Sequence, residues 1–205
     1  FYVDQLDALV DEGVYVSAAG VNALRREAVA ELTARRIARK PYAGQPAAPT
    51  QPLPRPDGRP LVTVRVGDAA GARAALDAGA DAVYFSPWNY RDEAAFTALP
   101  ESDRLYFAPP AQLLPPDLEV VTRMAERHRA RFCGLLLGNL GQLDLAELWP
   151  GGFVGDLPLN ITNPHSALYA FTLGARRLTL SCELTLAQSQ RVMAEAGGAH
   201  ELVVH

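Results

Sequence analysis

The side chains that could do chemistry in this sequence stand where short apolar runs end: Ser86, Asn139, Asn160, Asn163, Ser181, Glu183 and His205. An amide donates and accepts hydrogen bonds but transfers no proton, so Asn139, Asn160 and Asn163, with Ser181, suit substrate binding and orientation. The competing role is turn and cap duty, favoured at Asn163 because Pro164 follows. Glu183 fits a general base, a cation ligand or a salt-bridge partner. His205 is the best proton-transfer group, since imidazole titrates near neutrality. Glu183 and His205 are therefore the catalytic candidates. Cys182 would be a nucleophile only beside a histidine, and His205 lies one strand along. Cys133 opens an apolar run and reads as core; His128 and His200, at helix ends or joints, read as solvated or capping. Trp88 and Tyr90 form an aromatic loop suited either to a substrate platform or to a lid.

These residues need elements to position them. From 61 to 205, apolar runs alternate with helical patterns. The runs are Leu61–Val66, Ala82–Phe85, Arg104–Ala108, Phe132–Leu137, Phe153–Asn160, Arg177–Ser181 and Glu201–His205. Helical spacing fills Asp68–Ala78, Asp92–Leu99, Pro115–Ala130, Gln142–Leu148, Pro164–Leu173 and Leu186–Ala196. Such alternation predicts parallel strands joined by right-handed crossovers. The fold expected is α/β, a parallel (β/α) TIM-barrel-like domain that is incomplete at about seven units. An open doubly wound sheet is the alternative. An internal repeat supports the barrel: Gly79–Ser86, Gly174–Ser181 and Gly198–His205 each run from a glycine helix stop through a strand to a polar residue. Those final positions face the barrel mouth, where such folds place their sites.

Before the barrel, residues 1–40 read as a small α+β segment, with one or two short strands up to Val16 and a helix capped by Ser17. That helix carries Val21, Leu24, Ala28 and Leu32 at helical spacing. Residues 41–60, from Pro41 to Pro60, are dense in proline, which fixes φ and removes donors; the stretch reads as a mobile, protease-accessible linker.

Composition narrows the function. Net charge is −4 and no basic run marks a nucleic-acid footprint on this piece. No stretch reaches the roughly 18 apolar residues of a membrane helix. The two cysteines, Cys133 and Cys182, are far apart and outside any Cys/His cluster, so no metal site is expected within the chain. They read as free thiols of a reducing cytoplasm. Serine-protease, H-E-x-x-H and aspartic-pair signatures are absent from the sequence.

Several motifs in order resemble the U32 peptidase family, especially its long members with a collagenase-like extra domain. They are Phe1-Tyr2-Val3 with Asp11-Glu12-Gly13, Asn22–Ala28, Gly138-Asn139-Leu140-Gly141, Gly155–Asn160 with Asn163, and Leu178–Leu184. The resemblance spans nearly the whole chain outside 41–60. Cys182 departs from the pattern, where relatives look like Ser-Pro-Glu-Leu. The resemblance implies a collagenase-like protease, of which this chain is a partial and by itself inactive piece that works with the remainder of its parent chain. The alternative it admits is part of an oxygen-independent hydroxylase of RNA or a small molecule, using an iron–sulfur cluster. The family's cluster cysteines would lie after His205, so no cofactor is expected in this piece. A third reading is a non-catalytic barrel half that shapes a shared site.

Overall fold

The computed structural model describes residues 13–15, 17–37 and 51–204. The strands expected before Val16, the first half of the 41–60 stretch, and His205 lie outside the described residues. The chain divides into two units, Phe1–Ala48 and Pro49–His205. In the first, helix α1 (Ala18–Ile37) starts where Ser17 Oγ accepts from the Gly20 amide at 3.0 Å. Its stripe residues Val21, Leu24 and Leu32 are exposed.

In the second unit seven strands form one parallel sheet: β1 (Thr63–Val66), β2 (Ala82–Phe85), β3 (Leu105–Phe107), β4 (Gly134–Leu137), β5 (Phe153–Gly155), β6 (Ala175–Thr179) and β7 (His200–Glu201). Each strand pairs with the next, in the order β1-β2-β3-β4-β5-β6-β7. That order has no reversal, which rules out the doubly wound arrangement and its switch point. The domain is an incomplete TIM-barrel-like α/β fold.

Helices α2 (Ala69–Asp77), α3 (Glu93–Thr97), α4 (Pro115–His128), α5 (Leu143–Ala146), α6 (Pro164–Thr172) and α7 (Leu186–Ala196) fill the crossovers. Their starts follow local chemistry. Asp68 Oδ1 accepts from the Gly71 amide at 2.7 Å, and Thr185 forms a reciprocal capping box with Gln188. Strand β5 stops at Gly155, short of the apolar run that continues to Asn160. Asp156 accepts from the Leu157 amide at 2.8 Å, and Pro158, which has no amide proton, sits inside the one-turn 3₁₀ helix that follows.

Alternation along the strands sorts side chains to two faces. Phe85, Phe107, Leu135, Leu137, Phe153 and Leu178 meet the helices in the main core. The ring of Phe96 on α3 packs edge-on against Phe85 at 5.4 Å and against Phe107 at 5.5 Å. Each such buried side chain contributes about 1.5–3 kcal/mol through removal of apolar surface from water. The opposite, concave face holds Ala82, Tyr84, Ala108, Leu136 and Val154.

Three sequence expectations change here. Cys133 is exposed, because it precedes β4 at the amino edge of the sheet; its Sγ lies 3.0 Å from the Leu105 carbonyl oxygen. His128 is buried rather than solvated: its ring stacks on Phe96 at 5.0 Å and its Nε2 meets Glu93 at 2.8 Å. His200 belongs to β7, and its ring packs against Phe171 of α6 at 5.6 Å.

Residues 51–60 are exposed, and Leu53 is tied to the barrel. Its amide donates to the Ala196 carbonyl at 2.8 Å, beside a parallel bridge to Gly197. Gly197 has φ +65°, and a Cβ there would lie 1.9 Å from the Leu53 carbonyl oxygen, so only glycine admits this approach.

Burial, with Arg55 nearby, lowers the His200 pKa from 6.5 to about 4. The unfolded chain takes up this proton near 6.5 and the folded chain only near 4. Stability attached to His200 is therefore complete above pH 6.5 and lost as pH falls toward 4. Urea titrations across that window should show a steeper decline for the native chain than for His200→Asn. Equal slopes would contradict this reading.

Candidate active site at the concave face and its carboxyl rim

Polar residues within the strands face one another across the concavity. Arg177 on β6 donates from Nη2 to the Tyr84 hydroxyl on β2 at 2.8 Å. The Tyr84 hydroxyl donates to Glu201 Oε1 on β7 at 2.5 Å, and Thr179 donates to Glu201 Oε2 at 3.0 Å. Arg177 Nε also lies 2.5 Å from Glu201 Oε1, with the two side chains 16% and 11% exposed. A second link joins Arg65 on β1 to Asp156, just after β5, at 2.9 Å. Strands β2 and β6, like β1 and β5, are four places apart; in a flat sheet they would be roughly 19 Å apart. Side-chain contact over that interval requires the sheet to curl.

The electrostatics follow from this enclosure. Burial, reinforced by the Glu201 charge, raises the Tyr84 pKa far above its ordinary value, so the phenol stays protonated as donor. Burial works against the Arg177 charge, but Tyr84 and Glu201 beside it outweigh burial and raise its pKa. The network is a set of mutually compensated charges, which is how buried ionic groups persist.

The strands are parallel, so their carboxyl ends share one rim. Asn139 follows β4 there. Its amide donates to the Ala111 carbonyl at 3.0 Å and its Oδ1 accepts from Gly141 at 2.8 Å. It helps wall a cleft of about 410 Å³ with Gly138, Leu140, Pro158, Ile161 and Tyr169. Asn163 caps α6 through the Ser166 amide at 2.9 Å. Ser181 is buried, and its Oγ accepts from the Glu183 amide at 3.3 Å. Asn160 is exposed with φ +52°, a left-handed geometry that asparagine tolerates better than most residues. Glu183 is exposed beyond β6, as is Cys182. Among the described residues, the side chains of Asn160 and Glu183 have no hydrogen-bond or ion-pair partner.

Sequence reasoning missed Arg65, Tyr84, Asp156, Arg177 and Glu201. A signal for them existed: Arg65 and Arg177 are charges inside apolar strand patterns, where an unpaired charge is costly. Among the described residues, no group of three or more His, Cys, Asp or Glu side chains has metal-binding geometry. No described helix is long and apolar enough to cross a membrane.

No protein-family model matches this chain, and no curated protein matches it. Among solved structures, it is similar to the U32 peptidase Mk0906, at 13% identity and a TM-score of 0.48 over 80% of this chain and 74% of that one.

Replacing Arg177 by Met strands the enclosed Glu201 carboxylate, so equilibrium denaturation should show a loss of about 3–5 kcal/mol. Adding Glu201→Gln should restore part of it. A loss below about 1 kcal/mol, the range of surface pairs, would contradict the enclosed network.

Proposed function

We propose that this domain is the substrate-binding barrel of a U32-type, peptidase-like protein, and that peptide substrates meet its carboxyl rim. The observation that carries the reading is the division of labour at the rim. Asn139, Asn163 and Ser181 hold their own loops, whereas Asn160 and Glu183 leave an amide and a carboxylate open to a ligand. A peptide bond presents one donor and one acceptor, which an amide side chain can match. In this reading Asn160 orients the substrate beside loops whose shape Asn139, Asn163 and Ser181 set. Glu183, or His205 beyond the described residues, moves the proton. Turnover then depends on the remainder of the parent chain, and this piece supplies binding, orientation and a proton-transfer group.

The test compares Glu183→Gln with the native residue in the full-length parent, assayed on a fluorogenic peptide library. The variant should lose about 100-fold or more in kcat, the scale of a lost general base, with KM little changed. Undiminished peptide turnover would remove Glu183 from the mechanism. Turnover confined to RNA or a small molecule, with an iron–sulfur absorbance in the parent, would overturn the peptidase reading.

A further inference from the structure

Trp88 is 90% exposed, although it follows a strand whose every residue is buried. Its indole is seated against Gly67: a Cβ at Gly67 would lie 2.4 Å from the indole Nε1 and 2.7 Å from Cε2. The glycine thus makes the space in which the ring lies against backbone, leaving the rest of the indole to solvent. Gly67 stands just past β1, two residues beyond Arg65, whose side chain crosses the concave face to Asp156. The two positions are roughly 7 Å apart along the chain. The Arg65 side chain is 46% exposed and uses Nη2 for Asp156. Asp156 is compensated on both oxygens, Oδ2 by Arg65 and Oδ1 by the Leu157 amide. The guanidinium therefore retains donors for an incoming anion, two residues along the chain from the glycine against which the indole lies.

We propose that Trp88, seated on Gly67, and Arg65 form a binding site at the mouth for an aromatic residue bearing a free carboxylate, the carboxyl-terminal residue of a peptide. The ring stacks on the indole and the carboxylate takes the open edge of the guanidinium. A guanidinium fork fits a planar carboxylate better than a neutral amide, so the site reads the chain terminus as well as the side chain. This inference rests on the peptide-binding reading of the same rim and names the substrate end that the rim selects.

The probes are N-acetyl-Gly-Gly-Phe, its carboxyl-terminal amide and N-acetyl-Gly-Gly-Ala, titrated by calorimetry against the native chain, Trp88→Leu and Gly67→Ala. Trp149 is buried, so a fluorescence change from the exposed indole gives a second readout that Trp88→Leu abolishes. The acid should bind the native chain best. Trp88→Leu should weaken it by about threefold or more, the worth of an aromatic pair. Gly67→Ala displaces the ring without removing it and should weaken binding likewise; Trp88→Phe should recover part of the affinity. Equal affinity for native and Trp88→Leu chains, equal affinity for acid and amide, or no binding of the acid by the native chain would each overturn the site. Trp88-dependent binding without peptide turnover by the parent would leave this site standing and remove the peptidase reading. Peptide turnover lost in Glu183→Gln, with binding indifferent to Trp88, would do the reverse.

Discussion

The contact between Arg177 on β6 and Tyr84 on β2, closed by Glu201 on β7, is the constraint on which the domain depends. Parallel strands in sequential order could lie in an open sheet, and backbone pairing alone does not choose between open and curled. Cross-face contacts do choose. Two charged groups and a phenol at low exposure are tolerable only when they satisfy one another, and that requires strands four places apart to meet. The Arg65–Asp156 pair repeats the device between β1 and the end of β5. Apolar packing of Phe85, Phe96, Phe107 and Phe132 on the other face stabilises the helical layer, while the polar links set the curvature.

Curvature in turn organises the rim. Asp156 serves twice, as the partner of Arg65 and as the cap that ends β5, so the link across the concavity also places the turn leading to Asn160. Asn139 binds the loop after β3 to the loop after β4, and Asn163 starts α6. In these loops polar side chains are spent on backbone. Among the described residues, Asn160, Glu183 and Trp88 are exposed after their strands, and Arg65 keeps donors beyond its bond to Asp156.

Much of the fold was legible because its causes are local. The Thr185–Gln188 capping box and the apolar period delimit α7 at Leu186–Ala196, and Asp68 marks the start of α2. The repeated glycine-to-strand joint at Gly79, Gly174 and Gly198 exposed the βα unit itself. The concave network was not legible, because its partners are 93 and 117 residues apart and pair only once the sheet has curled. The same repeat aligns Ala82, Arg177 and Glu201 at one internal position; reading that position, and not only the last one, would have pointed to the charges. The end of β5 was misjudged because a hydrophobic run does not reveal that an aspartate and a proline terminate the ladder within it. His128 and His200 looked solvated because neighbouring helices, Phe96 on α3 and Phe171 on α6, are what enclose them.

The curl imposed by these contacts is tested most directly by nuclear Overhauser measurements on the isotope-labelled chain, between the Tyr84 ring protons and the Arg177 side-chain protons. In a flat or loosely open sheet these groups would be roughly 19 Å apart at the backbone and exchange no magnetisation. Strong cross-peaks between them, lost in Arg177→Met while the strand-to-strand peaks between β2 and β3 persist, are the predicted result. Intact β2–β3 peaks without any Tyr84–Arg177 contact would contradict the account.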